Sequence, residues 1–146
     1  VPNPQIAQGS LNRLVTSLTW ESAPELNVTA SFLSREMIRF ARNGNAVTFI
    51  PTGTGAVTSG EPFMMITLTI GLLKTQSLAA AYEARLLANA RIGNGTVRPD
   101  VSEGIGAFDL TNCAIENVGE LTFDGSNPIY PVMLSGYMPV NNDLWP

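Results

Sequence analysis

Residues 62–78 read Pro62-Phe63-Met64-Met65-Ile66-Thr67-Leu68-Thr69-Ile70-Gly71-Leu72-Leu73-Lys74-Thr75-Gln76-Ser77-Leu78. Met64, Ile66, Leu68, Ile70 and Leu72 alternate with Met65, Thr67, Thr69 and Gly71, which is the period of a strand with one apolar face and one small, neutral face. At Ser77 the period changes. The spacing predicts a helix over 77–92, with Ser77 as its cap, Leu78, Tyr82 and Leu86 on one stripe, and Gly93 at the left-handed C-cap position. Alanines 79, 80, 81, 84 and 88 are expected to let that helix approach a sheet closely. A long strand running into the one long helix, with strands before and after, gives an α+β class: an antiparallel β-barrel or sandwich with one flanking helix and a long hairpin or loop.

Upstream, residues 13–20 and 26–33 alternate as strands, the second with Leu26, Val28, Ala30 and Phe32 on one side. Asn43-Gly44 between residues 37–42 and 45–50 predicts a hairpin turn, because a type I′ turn needs positive φ at both central residues; a short helix over 34–42, capped by Ser34, is the competing reading. The segment Thr52, Gly53, Thr54, Gly55, Ala56, Val57, Thr58, Ser59 and Gly60 is glycine-rich and uncharged, and reads as a flexible loop. Downstream, residues 94–106 read as loop, 108–116 as a strand, 121–123 as a short strand, and 130–138 as a last strand that tolerates Pro131. An extended arm over about 1–10 and a polar tail over about 140–146, with Trp145 as an aromatic anchor, complete a single domain of 146 residues.

Hydrophobic residues make up 45% of the chain and charged residues 14%, against roughly 25% charged in an average soluble domain. So much neutral surface suits a subunit whose flanks are covered by neighbours. The net charge is −4 and the eight basic residues form no run, so a nucleic-acid footprint is absent. No apolar stretch is long enough for a membrane helix, and the first residues show no secretory pattern, which points to synthesis in a cytoplasm.

The chain contains no histidine, which removes the usual general base and the commonest metal ligand. The single cysteine, Cys113, has only acidic residues nearby to tune it and reads as an inert, partly buried thiol. Glu116 with Glu120, and Asp100 with Glu103, are carboxylate pairs without a spacing that brings them to bear on one bond. Asp100, Glu103 and Asp109 lack calcium-loop spacing. Gly53-Thr54-Gly55 and Gly104-Ile105-Gly106 lack the rest of a phosphate-binding motif. Neither enzyme activity, metal nor cofactor is expected.

The phrase Leu72-Leu73-Lys74-Thr75 at a strand-to-helix junction resembles the inner tail tube proteins of contractile-tailed bacteriophages. So do Ile50-Pro51-Thr52-Gly53-Thr54-Gly55, Cys113-Ala114-Ile115-Glu116-Asn117-Val118 and the closing Gly136-Tyr137-Met138-Pro139, in that order along nearly the whole chain. The resemblance, which extends to the type VI secretion tube, implies a virion protein made in the bacterial host. It implies hexameric rings stacked into a tube that contacts sheath, tape-measure and baseplate or tail-completion proteins, and that conducts DNA through its lumen without binding it specifically. Six copies of a −4 chain would carry roughly −24, which repels a polyanion near the wall. A strand over 62–74 would extend about 40 Å, most of a ring's height. Thr67 and Thr69, with Glu116 and Glu120, are the lumen candidates; residues 52–60 are the candidate inter-ring stacking loop, mobile in the free subunit and folded against the next ring. A monomeric β-sandwich binding module, using Trp20, Tyr130, Tyr137 and Trp145 as a platform for carbohydrate or peptide, is the alternative.

Overall fold

The alternating stretch forms a strand at the heart of a sheet. In a computed structural model, which describes residues 9–99 and 105–146, the strands are β1 (Ser17–Trp20), β2 (Leu33–Asn43), β3 (Val47–Pro51), β4 (Ala56–Gly60), β5 (Phe63–Leu73), β6 (Arg91–Arg98), β7 (Phe108–Val118) and β8 (Ile129–Pro139), with helix α1 (Ser77–Ala88) between β5 and β6. Six of them form one antiparallel sheet in the order β1-β6-β7-β8-β5-β2, and β3 pairs only with β4. β5 matches β8 without interruption from Phe63 opposite Pro139 to Leu73 opposite Ile129.

Ile66, Leu68, Ile70 and Leu72 of β5 are buried with Val132 and Leu134 of β8, Leu110 and Ile115 of β7, and Leu18 of β1. The sheet curls around this core into a half-barrel. Phe40 of β2 and Phe108 of β7 lie three strands apart in the sheet, about 14 Å if it were flat, yet their rings stack at 4.9 Å and 16°. The Arg42 guanidinium covers both rings, 5.5 and 5.0 Å from their centroids, and its Nε donates to Met138 Sδ. Bulges in β2, β6 and β7 supply the bend.

The core is also covered by α1, through Leu78, Ala79 and Tyr82. Tyr82 is fully buried and fully satisfied: its hydroxyl accepts from Trp20 Nε1 at 3.1 Å and donates to the Leu26 carbonyl at 2.7 Å. Leu86 packs at the margin of the core, as the stripe predicts.

Several expectations are corrected. The helix ends at Ala88, not 92, and begins after Gln76, so Ser77 is its first residue and makes no cap. Gly93 has positive φ but sits inside β6 between register shifts, not at a C-cap. Strand β6 takes residues 94–98 of the predicted loop 94–106; Gly95 is a glycine there because the Trp20 ring fills the space where its Cβ would lie. Residues 13–15 form a 3-10 turn before β1. Residues 26–33 are not a strand: 3-10 turns at Pro24–Leu26 and Ala30–Phe32 flank a single bridge from Val28 to Leu18, so the alternation reflects buried Leu26 and Val28 on an irregular backbone. Residues 121–123 carry no strand. Residues 1–8 of the arm predicted over about 1–10, together with Asp100, Glu103 and Gly104, lie outside the described residues.

Candidate assembly surfaces

Asn43-Gly44 does not reverse the chain. Asn43 still pairs with Met65 in the sheet, and Gly44, at φ +94°, only kinks the strand out of it. The chain continues as β3, turns at residues 52–55, and returns as β4, so that Val47–Pro51 pairs with Ala56–Gly60. The reversal is held by Thr52 N–H donating to the Gly55 carbonyl at 2.8 Å and Gly55 N–H donating to Thr52 Oγ1 at 3.1 Å. Of the predicted loop 52–60, only the tip is a turn; Ala56, Val57, Thr58, Ser59 and Gly60 are a strand.

The result is a two-stranded arm projecting from one end of the half-barrel. No charged residue occurs between Asn43 and Gly60. Both faces are apolar and open: Phe49 is 67% exposed on one, Ile50 (50%) and its cross-strand partner Val57 (54%) on the other. Neither face belongs to the core.

The base of the arm is nevertheless fixed. Glu61 N–H donates to the Ala46 carbonyl at 2.9 Å, and Asn141, itself in the left-handed region at φ 53°, donates from Nδ2 to the carbonyls of both Ala46 and Glu61 at 2.8 Å. Val140 N–H donates to the Pro62 carbonyl, and the Leu144 side chain lies against Gly60. The tail after β8 thus ties the arm to the barrel, while Trp145 stays largely exposed rather than anchored in the core.

On the sheet face opposite the core, Thr67 lies across from Ser135 and Thr69 from Met133, and Ser135 Oγ donates to the Glu116 carboxylate. Thr67 Oγ1 also accepts from Asn43 Nδ2 at 2.8 Å. The structure therefore brings Thr67, Thr69 and Glu116 to one half-open face. Glu120 stands apart, exposed in the connection after β7.

At the other end of β5 the sequence reading missed a surface. Lys74, Ala79, Ala80, Glu83, Leu121, Phe123 and Tyr130 line a groove of about 420 Å³ between α1 and the β7–β8 connection. Lys74 Nζ donates to the Thr122 carbonyl and lies 5.8 Å from the Phe123 centroid. The Tyr130 hydroxyl donates to the Glu83 carboxylate, and burial, reinforced by that carboxylate, pushes the Tyr130 pKa up. Phe123 is 92% exposed. The alanines of α1 do not all serve the sheet: Ala79 is buried, but Ala80, Ala84 and Ala88 face outward with Leu87. An outer helix stripe without charge was the available signal.

Cys113 is buried against Gly136, and burial pushes its pKa up to about 11, leaving little thiolate at neutral pH. Among the described residues no three metal-ligating side chains come together, and no helix is long and apolar enough to cross a membrane. Trp20 and Tyr130, two members of the aromatic platform, are buried.

No family model and no curated protein matches the chain. Among solved structures it is similar to the anti-feeding prophage cap, described as a tube terminating cap, at 13% identity and a TM-score of 0.46 over 93% of this chain and 91% of that one.

Proposed function

We propose that this chain is a structural subunit of a phage-like tail tube, assembling into hexameric rings that stack through the β3–β4 arm and enclose a conduit for DNA. The observation that carries the reading is the arm. It is uncharged, apolar on both faces, and held at its base by Asn141, a combination that water does not stabilise but a neighbouring subunit does. The resemblance of the Leu72-Leu73-Lys74-Thr75 junction and its companion phrases supplies the identity of the assembly. Thr67, Thr69 and Glu116, on the face away from the core, are the lumen residues in this reading, and Glu120 is the weakest of the four. The subunit performs no catalysis; sheath, tape-measure and baseplate proteins are its partners in the virion.

The test is direct. Purified protein, concentrated and taken through a series of ammonium sulfate steps, is followed by light scattering and negative-stain microscopy. Rings or tubes are expected. A species that stays monomeric up to precipitation would overturn the reading; of the four aromatics of the binding-module alternative, Trp20 and Tyr130 are buried and Tyr137 and Trp145 are not.

A further inference from the structure

The arm and the groove sit at opposite ends of the same strand. β5 begins at Phe63, just after the arm, and ends at Leu73, just before groove residue Lys74; eleven strand residues separate them by about 35 Å. A protruding element at one pole and a recess at the other make a head-to-tail contact, which propagates instead of closing on a pair.

We infer that the groove between α1 and the β7–β8 connection receives the arm of the next copy, with Phe49 as the anchoring side chain. This rests on the stacking role proposed above and names the surface that completes it. The charge balance selects the occupant. The groove's two ionic groups are of opposite sign, Lys74 held by the Thr122 carbonyl and the Phe123 ring and Glu83 by the Tyr130 hydroxyl, and the rest of the lining is uncharged, so the groove has no net charge. A net-charged partner segment would lose hydration there for no net attraction, whereas the arm has no charge to desolvate. Phe49, Thr58 and Ala56 share one arm face and present an aromatic ring among small neighbours, matched to a recess floored by Ala79 and Ala80.

The area explains why a lone pair of copies would not hold. An aromatic side chain covers about 150–250 Å², so one arm in one groove buries a few hundred Å², short of the roughly 800 Å² per partner of a stable complex. Repetition around a ring turns six weak contacts into one strong one.

The experiment pairs two single variants, Thr58→Cys and Ala80→Cys, mixed in equal amounts under tube-forming conditions and oxidised with diamide. The native Cys113 is buried and stays silent. A disulfide-linked dimer is expected on a non-reducing gel from the mixture and from neither variant alone. In parallel, Ala80→Trp, which fills the groove from an exposed position, is expected to raise the threshold concentration for assembly at least tenfold, while Ala88→Trp, outside the groove, leaves it unchanged; circular dichroism and a melting curve verify that both fold. Tubes that form without the mixed disulfide, or Ala80→Trp tubes at the wild-type threshold, overturn the assignment of the groove and leave stacking itself intact. Failure of the unmodified protein to assemble at all removes the stacking reading and this inference with it.

Discussion

Hydrogen exchange on the arm, compared between free and assembled protein, measures what assembly does for it. In the free subunit the ladder from Val47–Pro51 to Ala56–Gly60 has no buried side chain to support it. A two-stranded ribbon of this kind opens at nearly zero cost, so its amides should exchange within about tenfold of the unprotected rate. Assembly covers what is now open. Fully burying a large apolar side chain contributes about 1.5–3 kcal/mol, and with Phe49, Ile50 and Val57 still 67%, 50% and 54% exposed, covering the remainder yields roughly 3–5 kcal/mol for the three. At about 1.4 kcal/mol per decade, the amides between Thr54 and Ser59 should slow by roughly two to three and a half decades in the tube. Deuterium uptake of the peptides spanning 46–61, measured by mass spectrometry on both states, reads this directly. A rise below tenfold in the tube, or strong protection already in the monomer, refutes the reasoning.

Asn141→Ala removes two hydrogen bonds at the arm's base, and should leave the melting temperature of the barrel within a few degrees while speeding exchange at the Glu61 amide, which donates to Ala46, and raising the assembly threshold; unchanged exchange at that amide counts against the clamp. Tyr82→Phe leaves the Trp20 indole and the Leu26 carbonyl unpaired in the core, so urea unfolding should show a loss of about 2–4 kcal/mol, and a loss under 1 kcal/mol would mean the network carries little. Cys113→Ala should leave tube formation intact. Because burial raises the Cys113 pKa from 9.0 to about 11, its contribution is fully present below pH 9 and is lost as the pH rises toward 11; stability measured by urea titration should fall across that window, and Cys113→Ala should remove the early part of the fall.

Elements whose signal is local are legible in the sequence. β5, the core stripe Leu78, Tyr82 and Leu86, and the strands around 108–116 and 130–138 each carry their own periodicity, and the structure places them nearly as spaced. What failed depends on partners far along the chain. Gly95 reads as a loop residue until Trp20, distant in sequence, is seen to occupy its side-chain space. Asn43-Gly44 reads as a hairpin turn until Asn43 is found paired with Met65, beyond the whole arm. The arm itself was visible as an uncharged, glycine-rich segment, but its strand pairing was not, since Thr58, Ser59 and Gly60 have no local pattern to declare it. The groove joins Ala80 to Phe123 with two strands between them in sequence, and no local window contains both.

The unbroken register of β5 against β8 has a mechanical consequence. If load enters a subunit at the arm and leaves near Lys74, it runs parallel to these two strands, and their eleven cross-strand pairs are loaded in shear, so that they must yield together rather than unzip one at a time. Pulling on strand ends at right angles would peel the same bonds singly. A tube built from such subunits would therefore be stiff and strong along its axis and comparatively easy to pry apart from the side.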